Sequence, residues 1–258
     1  MSTTAEGHDE HHSPFLAHHF ESHGHQFDSG KLGIWAFLGQ ELLFFSGLFC
    51  AYVIYRGHHP EIFLQGSHFL DTKMGAINTG VLIFSSLTAA WSVRCAQLNN
   101  NKGLILTIAL TILCAFGFMG IKYVEYSHKI HDGLLPGKYF NPSAQALEKA
   151  GLKVPAVNAD GSIVIEPSDT AGDGEIVADT RETMNRRLHI FFSVYFMMTG
   201  LHGIHVVAGI IVYVWLLKRA IQGDFNSEYY GPIDFTALYW HLVDLVWIYL
   251  FPMLYLIH

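Results

Sequence analysis

The sequence has few charged residues, few cysteines and no cluster of five or more basic side chains. Charged residues make up 14% of the 258-residue chain, against about 25% in soluble domains, so a soluble globular enzyme is nearly excluded. With 15 Lys and Arg residues and a formal net charge of −7, the sequence has no basic patch of the kind that binds nucleic acid, so nucleic-acid binding is not expected. The 3 cysteines include no C-x-x-C pair, which argues against a disulfide framework or a thiolate metal site.

The apolar residues, 51% of the chain, are gathered into five long blocks. Each block reaches the about 20 residues that a helix needs to cross the hydrocarbon core of a bilayer. The blocks are residues 32–55, 74–93, 103–124, 188–217 and 235–257. We therefore predict an all-α fold, a polytopic membrane protein built as a bundle of five transmembrane helices.

Two polar segments flank or interrupt these blocks. Residues 1–31 are rich in His and acidic residues and lack the apolar stretch of a signal peptide. Basic residues in the short loops favour a cytoplasmic N-terminus and a C-terminus on the outside. The predicted order is a cytoplasmic tail at 1–31, helices 1–3 at 32–125, an outside, periplasmic insert at 126–187 and helices 4–5 at 188–258.

The insert has the composition of a soluble segment. Asn141-Pro142 and Gly151 are typical of the two ends of a short helix over residues 143–150. Apolar residues on either side of Asp160-Gly161, from 154 to 165, predict a small hairpin.

Polar residues inside the blocks are candidate functional residues, because charge at mid-depth in a bilayer is costly. Glu41 lies about 14 Å into the first block at the helical rise of 1.5 Å per residue. It is either protonated or it faces the bundle interior and meets a donor. The predicted intramembrane polar framework consists of Glu41, Asn78, His202, His205, His241 and Asp244.

Residue spacing leaves three roles open for this framework. Within each of the pairs His202/His205 and His241/Asp244 the two residues are three apart, so they share a helical face. Such side chains can ligate haem or a metal, or relay protons in a transporter. They can also simply hydrogen-bond one another and fix how the helices pack.

Five runs of the sequence resemble subunit III of the haem-copper oxidases, the cytochrome c oxidase subunit III family. The runs are LGIWAFL at 32–38 with Glu41 and AY at 51–52, NT at 78–79 with SS at 85–86, EY at 125–126 followed by GLLP at 133–136, TGLHGIHV at 199–206 and YWHLVDLVW at 239–247. The last two runs are the most specific. The resemblance extends from about residue 32 to the C-terminus, except for most of 137–187, and is to the shorter five-span bacterial forms.

The resemblance implies a subunit that has no redox centre, no metal ligand and no catalytic residue of its own. Haem and copper are then expected in the partner subunits I and II of a cytochrome c oxidase, in a bacterial inner membrane. The family's subunit III supports subunit I stability and proton uptake during aerobic electron transport, and it binds phospholipid. Glu41 matches the family's carbodiimide-reactive carboxylate, and the other five residues are interpreted as its polar framework.

Two segments and two alternative functions stay open. The insert at 137–187 either docks cytochrome c or another respiratory complex, or is a solvated loop. The tail histidines, in particular His18, His19, His23 and His25, either collect protons, form a solvated docking tail or bind metal. The chain could equally be the matching subunit of a quinol oxidase or nitric oxide reductase. A less favoured alternative is an independent membrane enzyme or transporter with a His-ligated cofactor.

Overall fold

The computed structural model describes residues 19–137, 140–143, 146–147 and 181–257, and for 181–187 the backbone only. Among these residues every regular element is a helix, so the all-α prediction is confirmed. The helices are α1 (His23–His58), α2 (Pro60–Ser67), α3 (Thr72–Gln97), α4 (Asn101–His131), α5 (Arg181–Gln222) and α6 (Gly231–Tyr255). The predicted hairpin lies outside the described residues, as do most residues of the predicted helix at 143–150.

Five described helices are long and apolar enough to cross a membrane, which confirms the five-span prediction. They are α1, α3, α4, α6 and the Leu188–Gln222 part of α5. Helix α1 starts at His23, well before the predicted block, because the Ser22 side chain caps it by accepting a hydrogen bond from the His25 backbone N–H at 3.1 Å. At the other polar segment α4 continues to His131, so the first residues of the predicted insert are helical.

The spans form a bundle in which α3 and α5 each pack against both α4 and α6. Helix α1 packs on the outside of this group, mainly against α6, and only Leu38, Phe45 and Tyr52 of α1 are buried. We call the end of the bundle where α1 begins the tail end. The opposite end, where α4 leads into the insert, is the insert end.

Large aromatic side chains fill the core, and glycine makes room for them. Trp240 and Trp247 of α6 are fully buried. A Cβ atom at Gly209 of α5 would lie 2.6 Å from the Trp240 ring, closer than packed atoms approach, so only glycine fits there. This contact brings α5 against α6 at the level of the polar side chains described below.

Candidate functional site within the membrane

Glu41 of α1 and His205 of α5 meet across the bundle. The Glu41 Oε2 atom lies 2.9 Å from His205 Nε2, and His205 Nδ1 lies 2.8 Å from the Leu201 carbonyl oxygen. Because that carbonyl only accepts, Nδ1 carries a hydrogen, an assignment made from its partner. One proton is then shared between Nε2 and the Glu41 carboxyl group. With the proton on Glu41 the two side chains form a neutral pair, and with the proton on His205 they form an ion pair.

The Glu41–His205 pair lies near the bundle surface. The side chains of Glu41 and His205 remain 13% and 15% exposed. The Phe45 ring lies 5.1 Å from the His205 ring, and the Tyr239 hydroxyl donates to the His205 carbonyl oxygen at 3.0 Å. A partner or a lipid that covers this face would therefore seal a shared proton inside the membrane.

Two polar contacts tie α3 to α6 at mid-depth. The His241 Nδ1 atom lies 2.5 Å from the Ser86 hydroxyl. The Trp240 indole N–H donates to the neighbouring Ser85 hydroxyl at 3.0 Å. His241, a predicted framework residue, thus pairs with Ser86, which belongs to one of the family-like runs but was not predicted to be a partner of the framework.

The remaining three framework residues are buried without a hydrogen bond to any described residue. Asn78, His202 and Asp244 are 1%, 0% and 2% exposed, and all six of their side-chain N and O atoms lack a partner. The His202 ring lies against the rings of Phe118 and Trp247, with centroids 5.6 and 5.1 Å away. The structure therefore joins Glu41 to His205 but does not bond the other four predicted residues to one another.

A buried ionic cluster that was not predicted from the sequence lies at the insert end. Glu125 Oε1 accepts hydrogen bonds from Lys129 at 2.8 Å, Tyr195 at 2.9 Å and Tyr255 at 2.6 Å. Its Oε2 accepts from Lys122 at 2.6 Å. All five side chains are buried, and the single carboxylate is saturated by its donors. We call these five residues the insert-end cluster.

The insert-end cluster left a signal in the sequence. Lys122, Glu125 and Lys129 follow an i, i+3, i+7 pattern, which places three charges on one helical face. They lie at the end of the third apolar block, where charges usually mark the flank of a span. In the structure the Lys122 ammonium also lies 4.4 Å from the centroid of the Trp247 ring, a cation–π contact that links the cluster to the core.

An apolar groove of about 360 Å³ runs between α4 and α5. Phe118 and Tyr123 line it on α4, and Ile204 lines it on α5. Gly200 and Gly203 leave its floor open. The exposed side chains of Tyr123 and Ile204 at its rim show that the groove opens at the bundle surface.

The described part of the chain brings no three His, Cys, Asp or Glu side chains together as metal ligands. Among the tail histidines, His23 forms the first residue of α1 and His25 is exposed, with its ring 5.6 Å from that of Phe20. His19 lies in a turn before α1, and His18 lies outside the described residues.

Comparison with known proteins points to one family. The sequence model of the family described as cytochrome c oxidase subunit III matches residues 183–258. Quinol oxidase subunit 3 of Bacillus subtilis is 26% identical over 239 residues, which cover 90% of each chain. Cytochrome c oxidase subunit 3 of Synechocystis is 27% identical, covering 92% of this chain and 80% of that one. The same-named protein of Corynebacterium diphtheriae is 28% identical and covers 88% and 87%.

Proposed function

Because the chain belongs to the subunit III family of the haem-copper oxidases, we propose that it is the redox-inactive membrane subunit that packs beside subunit I and stabilises it. We call this the bracing role. The chain is thus a subunit of an oxidoreductase complex of electron transport. In this proposal it has no haem, no copper and no catalytic residue, and it sustains proton uptake by subunit I during oxygen reduction. The observation that carries the proposal is the Glu41–His205 pair at an incompletely covered face of the bundle.

The face around that pair suits a large membrane partner. Helix α1 is the least buried of the five spans. Its side chains Trp35, Leu43 and Phe44 are large, apolar and exposed. Exposing an ionisable pair to lipid at mid-depth is energetically costly. A protein partner that covers this side would therefore stabilise the pair. We assign the role to subunit I, with subunit II in the same assembly.

Replacing Glu41 in the assembled oxidase tests the bracing role. Glu41→Leu removes the shared proton and leaves His205 without its partner, so we expect assembly with normal haem content but a several-fold faster loss of activity during turnover. Ser46→Ala is the matched control, since that exposed hydroxyl donates to the Leu43 carbonyl of its own helix. A Glu41→Leu oxidase that loses activity at the wild-type rate would refute the role.

The electron donor of the complex depends on subunit II, the partner that we expect to receive the electrons. We propose cytochrome c, and the relatives of similar identity include both cytochrome c and quinol oxidase subunits. Purifying the complex through this chain tests the proposal. A co-purifying subunit II that contains copper supports cytochrome c as the donor, whereas a copper-free subunit II identifies a quinol oxidase. Reduction of nitric oxide by the purified complex would identify a nitric oxide reductase.

Two extramembrane roles extend the proposal. The acidic insert at 137–187 docks a basic respiratory partner, such as cytochrome c, because opposite charges steer association. Deleting residues 141–179 should then slow cytochrome oxidation at low salt more than at high salt. Unchanged assembly and unchanged oxidation in the deletion variant would contradict this docking.

The second role belongs to the tail histidines. His18, His19, His23 and His25 lie on the side that we assign to the cytoplasm, where imidazoles exchange protons near neutral pH. Replacing all four with Gln should lower turnover at alkaline pH, where protons are scarce, and leave it unchanged at acidic pH. Equal turnover of variant and wild type across that range would discard the role.

Orientation and location are proposed together. The chain lies in a bacterial inner membrane with the N-terminus in the cytoplasm and the C-terminus in the periplasm, as the basic residues of the short loops favour. A protease added to intact spheroplasts should cut the insert and spare the tail. Cleavage of the tail instead would reverse the orientation.

The apolar groove between α4 and α5 suits one acyl chain of a phospholipid. Its walls are apolar, and it opens at the surface that faces the bilayer. Gly203→Phe would fill the groove, and we expect native mass spectrometry of the complex to show one lipid fewer. Gly117→Phe is the matched control, since nothing lies within 4 Å of a Cβ at that exposed position of α4. Equal lipid counts would exclude the site.

A further inference from the structure

Three buried side chains at the centre of the bundle need partners that no described residue supplies. Asn78 on α3, His202 on α5 and Asp244 on α6 together carry six unpaired N and O atoms. Burying a polar group without a hydrogen bond is strongly unfavourable, and a spanning helix has no bulk water beside it. These atoms are therefore expected to have hydrogen-bond partners other than the described side chains.

Trp247 of α6 relates the positions of the three side chains along the bundle. The His202 ring lies 5.1 Å from the Trp247 ring. The Trp247 indole N–H donates at 3.1 Å to Thr79, the residue after Asn78. Asp244 lies one helical turn before Trp247 on α6, so these polar groups occupy adjacent levels of the core.

The nearby donors are already used or are too few. Ser86 lies close to the Asp244 carboxyl group and 2.5 Å from His241 Nδ1, but its hydroxyl has a single hydrogen, so it can donate at most one hydrogen bond to the two carboxyl oxygens. Lys122 on α4 donates to Glu125 and to Tyr255. Tyr213 on α5 is near Asp244, yet its hydroxyl is itself unpaired.

Water is the one molecule small enough to satisfy such atoms between packed helices. A buried water makes about three hydrogen bonds to otherwise unpaired polar groups, and proteins hold about one such water per 27 residues. An amide, an imidazole and a carboxyl group offer it both donors and acceptors.

We propose that the bundle interior holds a hydrated proton-exchange site, in which ordered water bonds Asn78, His202 and Asp244 and Asp244 is the neutral acid. No cation is free to pair with this carboxyl group among the described residues around it. Of the titratable groups in this region, His241 lies three residues before Asp244 on its own helix, and Tyr213 on α5 lies near the carboxyl group. His202 on α5 and Lys122 on α4 lie beside Trp247, and the charge of Lys122 is already matched to Glu125. A buried acid without a cation is neutral, and water beside it gives its proton a route of exchange. This inference does not rest on the proposed function.

The sign of a stability change tests the hydration. In the purified complex, Asp244→Asn keeps polar atoms for water and should melt close to the wild type. Asp244→Leu removes these polar atoms and displaces the water that bonds Asn78 and His202. Its melting temperature should therefore fall clearly below that of Asp244→Asn. In a dry site the apolar replacement would instead remove an unsatisfied group and stabilise the protein. A melting temperature of Asp244→Leu at or above that of Asp244→Asn overturns the proposal.

Infrared spectroscopy of the same complex tests the proton exchange. We expect a carboxylic acid C=O band that is lost in Asp244→Asn and that moves to lower wavenumber when the wild type is transferred to D2O. Glu41→Gln serves as the control that separates the band of the other intramembrane acid. A spectrum without an Asp244 band, or a band that does not move in D2O, overturns the proposal. Both readouts are independent of oxidase activity, so they stand apart from the test of the bracing role.

Discussion

The insert-end cluster and the middle of the bundle deal with buried polar groups in opposite ways. At the insert end, Glu125 receives four hydrogen bonds from two lysines and two tyrosines, and its donors are all within 2.9 Å. In the middle, Asn78 and His202 receive none from the described residues, and Ser86 can donate at most one to Asp244. Both sets are equally buried.

This contrast follows from charge. Ionised groups can be buried only when each is paired and hydrogen-bonded, which the insert end achieves by gathering α4, α5 and α6 around one carboxylate. Uncharged groups carry a smaller penalty and can be served by single water molecules. The insert end is therefore a rigid ionic joint of three helices, whereas the middle can take up and release water and protons.

Removing the carboxylate of Glu125 should have the largest effect. Glu125→Leu leaves two buried ammonium groups without a counter-ion, and breaking a buried pair in this way costs about 3–5 kcal/mol. We expect a loss of that size in the free energy of unfolding, measured by denaturant titration of the solubilised chain. Glu61→Leu is the control, because Glu61 lies on α2, about half exposed, 3.6 Å from His59, and its loss should leave stability unchanged.

A compensating variant sharpens this result. Replacing Lys122 and Lys129 by Met together with Glu125→Leu removes all three charges, and apolar triads often match the stability of the buried ions that they replace. The triple variant should recover most of the loss of Glu125→Leu. If the triple variant is the less stable of the two, the ionic joint contributes more than the pairing of its charges.

Tyr255→Phe should have the second largest effect. The Tyr255 hydroxyl donates to Glu125 Oε1 at 2.6 Å and accepts from Lys122 at 2.7 Å. Hydrogen bonds to charged groups contribute about 1.5–3 kcal/mol, so the same titration should show a loss in that range. Tyr249→Phe, at an exposed position of the same helix, should show none. Equal stability of both variants would mean that Lys129 and Tyr195 already satisfy the carboxylate.

The spans could be predicted from the sequence, whereas the ends of the helices could not. Hydropathy detects the stretch that must lie in hydrocarbon, and all five blocks are helices. It says nothing about a polar helix that continues into water. Helix α1 therefore begins at His23, because Ser22 caps it and the polar residues that follow are compatible with a helix. For the same reason α4 passes beyond Val124 to His131.

The sequence predicted some residues of the site more readily than it predicted which of them would be hydrogen-bonded to each other. Glu41 and His205 stood out because ionisable residues are rare at mid-depth, but several partners were open to Glu41. Helix rotation and depth decide between them, and neither is fixed by spacing within one helix. Ser86 belongs to a family-like run, but its pairing with His241 was not predicted, because serines in membrane helices commonly serve close packing. Lys122 and Lys129 were missed because charges at a span end usually contact water.

The smallest effect belongs to a pair of uncharged groups that is satisfied within the protein. The hydroxyls of Thr88 on α3 and Thr111 on α4 lie 2.8 Å apart and are buried. Interhelical hydrogen bonds of this kind contribute about 0.6 kcal/mol on average in double-mutant cycles. We expect that coupling between Thr88→Val and Thr111→Val in the free energy of unfolding. A coupling as large as the loss in Tyr255→Phe would show that hydrogen bonding in the middle is as strong as at the insert end, and the contrast between the two regions would then not be one of charge.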